Sequence, residues 1–117
     1  MVSLDLTVEQ VKESVIPSVI ILDCKGTGNE SVTIEYSEKL GLVYEPGDKL
    51  VLSIVKSKFP PHKENDYCGR VILYSIKENK KKTYLFSVGG FIIRIESPRK
   101  LRGLSISEEY YFCLTKK

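Results

Sequence analysis

Thr83-Tyr84-Leu85-Phe86-Ser87-Val88-Gly89-Gly90-Phe91-Ile92-Ile93-Arg94-Ile95 reads as a β-hairpin. Two apolar runs of strand-forming side chains flank two glycines, which is the two-residue spacing of a primed turn whose central residues both take positive φ. Arg94 falls in the middle of the second run. Period-2 counting turns it away from Ile93 and Ile95, so its face is either solvated or meets a carboxylate or carbonyl of another molecule. Adjacent glycines also let a second backbone approach closely, although a turn alone accounts for the pair.

Outward from this hairpin the pattern stays strand-like. Upstream lie Arg70–Ile76 (RVILYSI), Lys49–Lys56 (KLVLSIVK), the clean alternation Val32-Thr33-Ile34-Glu35-Tyr36, and Ser18–Cys24 (SVIILDC); downstream lies Tyr110–Leu114 (YYFCL). Seven such runs at short spacing predict an all-β sandwich or barrel. Turn chemistry punctuates them at Gly26–Asn29, Glu45-Pro46-Gly47-Asp48, Phe59-Pro60-Pro61-His62 and Glu78–Lys82. Two stretches leave helix open. Thr7–Val15 spaces Val8, Val11 and Val15 at three and four, but valine is a poor helix former and a strand with irregular ends fits equally. Ser37–Gly41 fits one turn, capped by its serine and stopped by its glycine. No internal repeat or linker is visible, and a single domain over residues 1–117 is expected.

With 42% hydrophobic and 28% charged residues, the chain has the composition of an ordinary globular protein. Its longest purely apolar run, Val19–Leu22, is far short of the ~20 residues that span a bilayer. Met1–Asp5 lacks the basic-then-apolar start of a signal peptide. A soluble, cytoplasmic protein without membrane contact is therefore expected. Charge is uneven: residues 1–50 carry 4 basic and 9 acidic side chains, net −5, whereas residues 51–117 carry 14 and 6, net +8. If the halves occupy different faces, the surface is dipolar and its basic side suits an acidic partner or nucleic acid; if their strands interleave, the charges mix.

Cys24, Cys68 and Cys113 are more than forty residues apart, and the only other soft ligand is His62. A zinc ribbon needs four convergent ligands. Three cysteines and a histidine could meet through the fold, but each cysteine lies in or beside an apolar run, where a small buried thiol is the plain reading. Unpaired cysteines suit a reducing compartment. No metal and no cofactor are expected. His62 follows two prolines in a polar loop without a nucleophile signature, as a surface histidine does. There is no G-x-S-x-G elbow, phosphate loop or paired carboxylate, and Gly26-x-Gly28 lacks the third glycine of a dinucleotide site. Neither catalysis nor a small-molecule substrate is expected of this chain.

A single-strand-binding barrel is the rival from another class. Tyr36, Tyr44, Phe59, Tyr67, Tyr74 and Tyr84 are candidates for base stacking, and Lys56, Lys58 and Lys63 for a basic groove. The alternative is that the aromatics fill the core. Lys80-Lys81-Lys82 reads as a solvated hairpin tip that also blunts a sheet edge.

The C-terminal third resembles a known family. Gly89-Gly90-Phe91-Ile92-Ile93-Arg94-Ile95-Glu96, then Leu101 and Leu104, then a terminal aromatic strand ending in Lys116-Lys117, is similar to the C-terminal signature of the eighth subunit shared by the eukaryotic nuclear RNA polymerases. Pro46-Gly47-Asp48-Lys49-Leu50 and Gly69-Arg70-Val71 through Tyr74 resemble the family's upstream strands. The long polar insertion of the eukaryotic proteins is replaced by the short Lys58–Asn65, and Cys68 stands where the family usually has tyrosine. This trimmed form looks like the archaeal counterpart, the G subunit of multisubunit DNA-directed RNA polymerase. The resemblance implies an antiparallel β-barrel of about seven or eight strands, of oligonucleotide/oligosaccharide-binding (OB) type. It implies a non-catalytic accessory subunit, docked outside the largest polymerase subunit near the funnel and secondary channel, with the nucleotidyl-transfer chemistry in other chains. The partner-binding residues expected on this reading are Gly89, Gly90, Phe91, Arg94, Leu101 and Leu104: glycines for close approach, the arginine for a carboxylate or carbonyl, the leucines as apolar anchors. Turn, core and solvated arginine are their plain alternatives, and a weak nucleic-acid contact stays open.

Overall fold

The computed structural model of the chain describes residues 2–117. Eight strands form: β1 (Val2–Glu13), β2 (Val19–Gly26), β3 (Ser31–Ser37), β4 (Lys49–Val55), β5 (Tyr67–Glu78), β6 (Lys82–Val88), β7 (Phe91–Ser97) and β8 (Glu109–Lys116). Alternation drives them. On β3, Val32, Ile34 and Tyr36 are buried between half-exposed residues, and on β7 Ile93 and Ile95 do the same. One 3-10 turn, Glu38–Leu40, follows β3; the Ser37 hydroxyl accepts from the Lys39 N–H and Gly41 ends it, as the sequence predicted.

The strands close an all-antiparallel barrel in the order β1-β2-β3-β7-β6-β5-β8-β4. This is the expected all-β barrel, with β1 as the eighth strand that the sequence left between strand and helix. Closure leaves no free edge, so the lysine tip at Lys80–Lys82 has none to blunt; Lys80 is exposed, Lys81 reaches Glu96 at 3.6 Å and Lys82 opens β6. The interior is filled by Tyr84, Phe86, Phe112 and a shell of leucine and isoleucine, all essentially inaccessible to solvent. No helix among the described residues is long and apolar enough to cross a membrane.

Each half of the chain is a Greek key, β4-β1-β2-β3 and β8-β5-β6-β7, with the fourth strand beside the first. The keys join through β3–β7 and β4–β8. They match in detail. Both first strands are 12 residues long and both bulge after the seventh, between Val8 and Gln10 and between Leu73 and Ser75. Val8 exchanges backbone hydrogen bonds with Gly47 and Asp48, and Leu73 does so with Ser107 and Glu108. Gly47 and Ser107 both take positive φ, 95° and 70°. The sequence displays no repeat because what recurs is the pairing scheme, not the residues that carry it.

This topology decides the charge question. The two halves do not interleave; each forms one continuous side of the wall, so the acidic and basic segments face opposite ways. The cysteines require a correction. Cys24 is a buried thiol, its pKa pushed up to about 12 by burial and then by Asp23 and Glu9. Cys68 and Cys113, expected as separate thiols, form a disulfide. Sequence separation hid this, because β5 and β8 pair and set the two residues directly opposite each other.

Candidate docking surface

Gly89 and Gly90 are the two-residue turn between β6 and β7, with φ of 53° and 96°, and Val88 pairs with Phe91 across it. Only a primed turn fits the right-handed twist of the strands here. A β-carbon at either glycine would meet nothing within 4 Å. The backbone angle therefore accounts for the glycines, and the space above them is open. Phe91 is half-buried and shares the inward parity of Ile93 and Ile95.

Just below the turn, the outer wall carries a row that the sequence reading missed. Ile92 on β7 pairs with Ser87 on β6, which pairs with Ile72 on β5. The two isoleucines are 39% and 47% exposed. The next row is Arg94, Leu85 and Ser75, and the β5 bulge beside it presents Tyr74, 44% exposed. The available signal was apolar residues at both parities in RVILYSI and FIIRI, where a wall with one wet face alternates. Arg94 points outward as counted. Its Nη2 donates to Glu96 Oε2 on its own strand at 2.8 Å, and Glu35 Oε1 accepts from the Ile92 N–H at 2.8 Å. In the Arg94–Glu96 pair the guanidinium is half exposed, while the carboxylate is mostly covered and also reached by Lys81 at 3.6 Å; a guanidinium half in water can turn to a competing carboxylate at small cost.

Leu101 and Leu104 lie elsewhere. They are half-buried and pack onto the core from the loop after β7, which closes one mouth of the barrel. Two core tyrosines hold that loop: Leu101 N–H donates to Tyr84 Oη at 2.8 Å, and Ser105 N–H donates to Tyr110 Oη at 2.8 Å. The Gly89–Gly90 turn is at the other mouth, roughly 20 Å away along β7 at the usual rise per residue. The structure thus brings Gly89, Gly90, Phe91 and Arg94 together and leaves the leucines apart, spent largely on packing. A buried anchor of the same cap went unread: Glu30 is 2% exposed, accepts from Gly28 N–H at 3.0 Å and pairs with Arg99 at 3.2 Å.

The stacking platform does not assemble. Tyr36, Tyr44, Tyr67 and Tyr84 are buried, with Tyr36 against Tyr44 and Tyr67 at ring separations of 5.5 and 6.0 Å. Burial raises the pKa of Tyr36, Tyr44 and Tyr67, the last to about 12. Phe59 leans on Tyr111 at 4.7 Å, and Lys56 pairs with Glu108 at 3.0 Å, which raises its pKa. The loop that carries Phe59 also sets His62, expected as a plain surface histidine, beside the Cys68–Cys113 pair.

Open backbone, exposed isoleucines, a tyrosine and one guanidinium make a surface that can bind. Comparison with known proteins agrees on an assembly role. A family model described as the G subunit of DNA-directed RNA polymerase matches residues 1–117. No curated protein sequence matches this chain. Among solved structures, the cytoplasmic molybdate-binding protein ModG in a molybdate-bound crystal form is similar over 97% of this chain and 89% of that one, at 13% identity and a TM-score of 0.36, too remote a likeness to carry any argument.

Proposed function

Because the chain belongs to the G-subunit family of DNA-directed RNA polymerase and is thus a polymerase subunit, we propose that it is a non-catalytic accessory subunit docking on the outside of the largest subunit, near the funnel and secondary channel. It acts as one barrel domain, in the cytoplasm, with no cofactor of its own in transcription. The observation that carries the docking surface is the uncovered row Ile92–Ser87–Ile72 directly below an unobstructed Gly89–Gly90 turn. Singly exposed aliphatic side chains are ordinary, but here Ile92 and Ile72 lie in one row across three strands, with Tyr74 beside it, and an apolar surface grouped in this way is one that a partner can cover. Arg94, beside the row, exchanges Glu96 for a carboxylate or carbonyl of the large subunit. Phe91 braces the turn from within, and Leu101 and Leu104 hold the distant cap in shape while offering the partner only their exposed edges.

The test is co-purification with the largest polymerase subunit in moderately high salt, for the wild-type chain and for Ile92→Asp and Arg94→Ala. Both side chains are outward, so the free variants should melt within a few degrees of wild type. Retention should fall severalfold for Arg94→Ala and be lost for Ile92→Asp. Equal retention of all three chains removes this surface from the docking reading. Recovery of nucleic acid alone, washed off by salt, transfers the function to the single-strand-binding class, since phosphate contacts weaken steeply as salt rises.

A further inference from the structure

Cys68 and Cys113 face each other across β5 and β8 with Cα atoms 4.1 Å apart. Cys113 points away from the core, between inward-facing Phe112 and Leu114, yet is fully buried. What covers it is the loop between β4 and β5: Pro60 O lies 3.9 Å from Cys113 Sγ. The same loop delivers an imidazole. A ring nitrogen of His62 and the two sulphurs lie within 4.8 Å of one another. Phe59 fixes the loop against Tyr111, and Lys63 and Asp66 close its far end with N–H to carboxylate and N–H to carbonyl bonds.

A structural disulfide needs no imidazole, and this one is oriented. His62 Nδ1 donates to Pro60 O at 2.8 Å. Holding the proton on Nδ1 leaves Nε2 with a free lone pair, which is the backbone-carbonyl arrangement that orients metal-bound histidines. Two thiolates, one neutral imidazole and a divalent cation sum to zero charge, which suits a half-buried wall where a net charge is costly.

We propose that the reduced chain binds one thiophilic divalent cation of the zinc class through Cys68 Sγ, Cys113 Sγ and His62 Nε2, with water in the fourth position. The disulfide is the closed form of the site. A dithiol reductant passes two electrons to the S–S bond and is itself oxidised to a disulfide, which leaves two thiols. On binding, each thiol loses its proton to solvent and both sulphurs coordinate as thiolates. The role is independent of which polymerase surface the subunit docks on.

The experiment titrates the full chain, reduced by a dithiol under native anaerobic conditions and freed of reductant, with Co2+ and then Zn2+. Reduced wild type should show thiolate-to-metal charge transfer and tetrahedral ligand-field bands at one Co2+ per chain, displaced by one Zn2+. His62→Ala, on an exposed loop, should keep the wild-type melting profile and weaken Zn2+ binding at least about tenfold, since a ligand and not a support is lost. Cys68→Ser should lose the charge-transfer band, and the disulfide form should bind nothing. The proposal is overturned if native reduction frees no thiols at Cys68 and Cys113, or if the reduced chain gives no Co2+ bands. It is overturned equally if His62→Ala binds as wild type, or if the disulfide form binds as well as the reduced one.

Discussion

Gly89 and Gly90 carry two demands that a substitution can separate. With no atom within 4 Å of an added β-carbon, the cost of replacing either comes from the backbone alone. Gly90, at φ 96°, sits where only glycine is comfortable, and Gly90→Ala should cost about 1–2 kcal/mol. For a domain near this size that is roughly 4–8 °C of melting temperature per kcal/mol, read in a thermal melt. Gly89, at φ 53°, accepts asparagine, since Asn-Gly is a favoured primed turn. Gly89→Asn should melt with wild type and, if a partner backbone passes over the turn, should still lose retention on the large subunit. Unchanged retention would make the pair a turn and nothing more. These glycines were legible because turn chemistry is local. Arg94 was legible in direction, and the same period-2 count puts Glu96, two residues on, on its face; the pairing was there to be read and was passed over. Ile72 and Ile92 were in plain view within apolar runs, and were lost because a run without alternation does not say which face is covered.

Bulges explain why β1 was the least legible element. Val2, Leu4, Leu6 and Val8 point inward at period two, then the bulge at Glu9 resets the count so that Val11 packs inward next. The resulting spacing of three imitates a helix. In β5 the same device sets Val71, Leu73 and then Ile76 on the core, but a continuous apolar run made that strand readable anyway. The loop after β7 shows the reverse failure. Leu101 and Leu104 read as free anchors because nothing in the sequence says that Tyr84 and Tyr110, core residues on β6 and β8, turn their hydroxyls toward Leu101 and Ser105. Those hydroxyls satisfy buried-side amides of the cap, each worth about 1 kcal/mol. Tyr84→Phe should therefore leave the barrel folded while amide exchange at Leu101 quickens, and Tyr110→Phe should do the same at Ser105. Exchange that rises equally over all eight strands would mean the tyrosines support the core rather than the loop.

At the scale of the molecule, the uneven charge was legible but its consequence was not, since it turned on strand order. With each Greek key forming one side of the wall, three ion pairs bridge the halves where they abut: Lys117 on Asp5 at 2.6 Å, Lys116 on Asp48 at 3.5 Å and Arg99 on Glu30 at 3.2 Å; others, such as Lys12–Asp23 and Arg94–Glu96, stay within one half. Solvent-exposed pairs such as Lys117–Asp5 contribute little, so the barrel rests on its core, and the core sets its alkaline limit. Cys24 ionises near 9.0 when unfolded and is held protonated to about 12 when folded, mainly by burial; Tyr67 goes from 10.0 to about 12 for the same reason, with Glu35 adding to it. Between those values the folded chain keeps protons that the unfolded chain has released. Stability then falls as pH rises, because its slope follows the protons bound unfolded minus those bound folded. The contribution of these groups is complete below about pH 9 and is lost by about pH 12. Melting temperatures taken from about pH 8 to 11 should fall progressively, and the fall should begin with the thiol, whose unfolded pKa is the lower. Cys24→Ala carries a packing loss that is the same at every pH, so its curve should lie lower but decline less steeply just above about pH 9. Tyr67→Phe, which keeps the ring and loses only the hydroxyl bonded to Glu35 O, should flatten the limb above about pH 10 instead. Parallel curves for wild type and Cys24→Ala would mean that water reaches the thiol through an opening of β1 and β2 well below global unfolding.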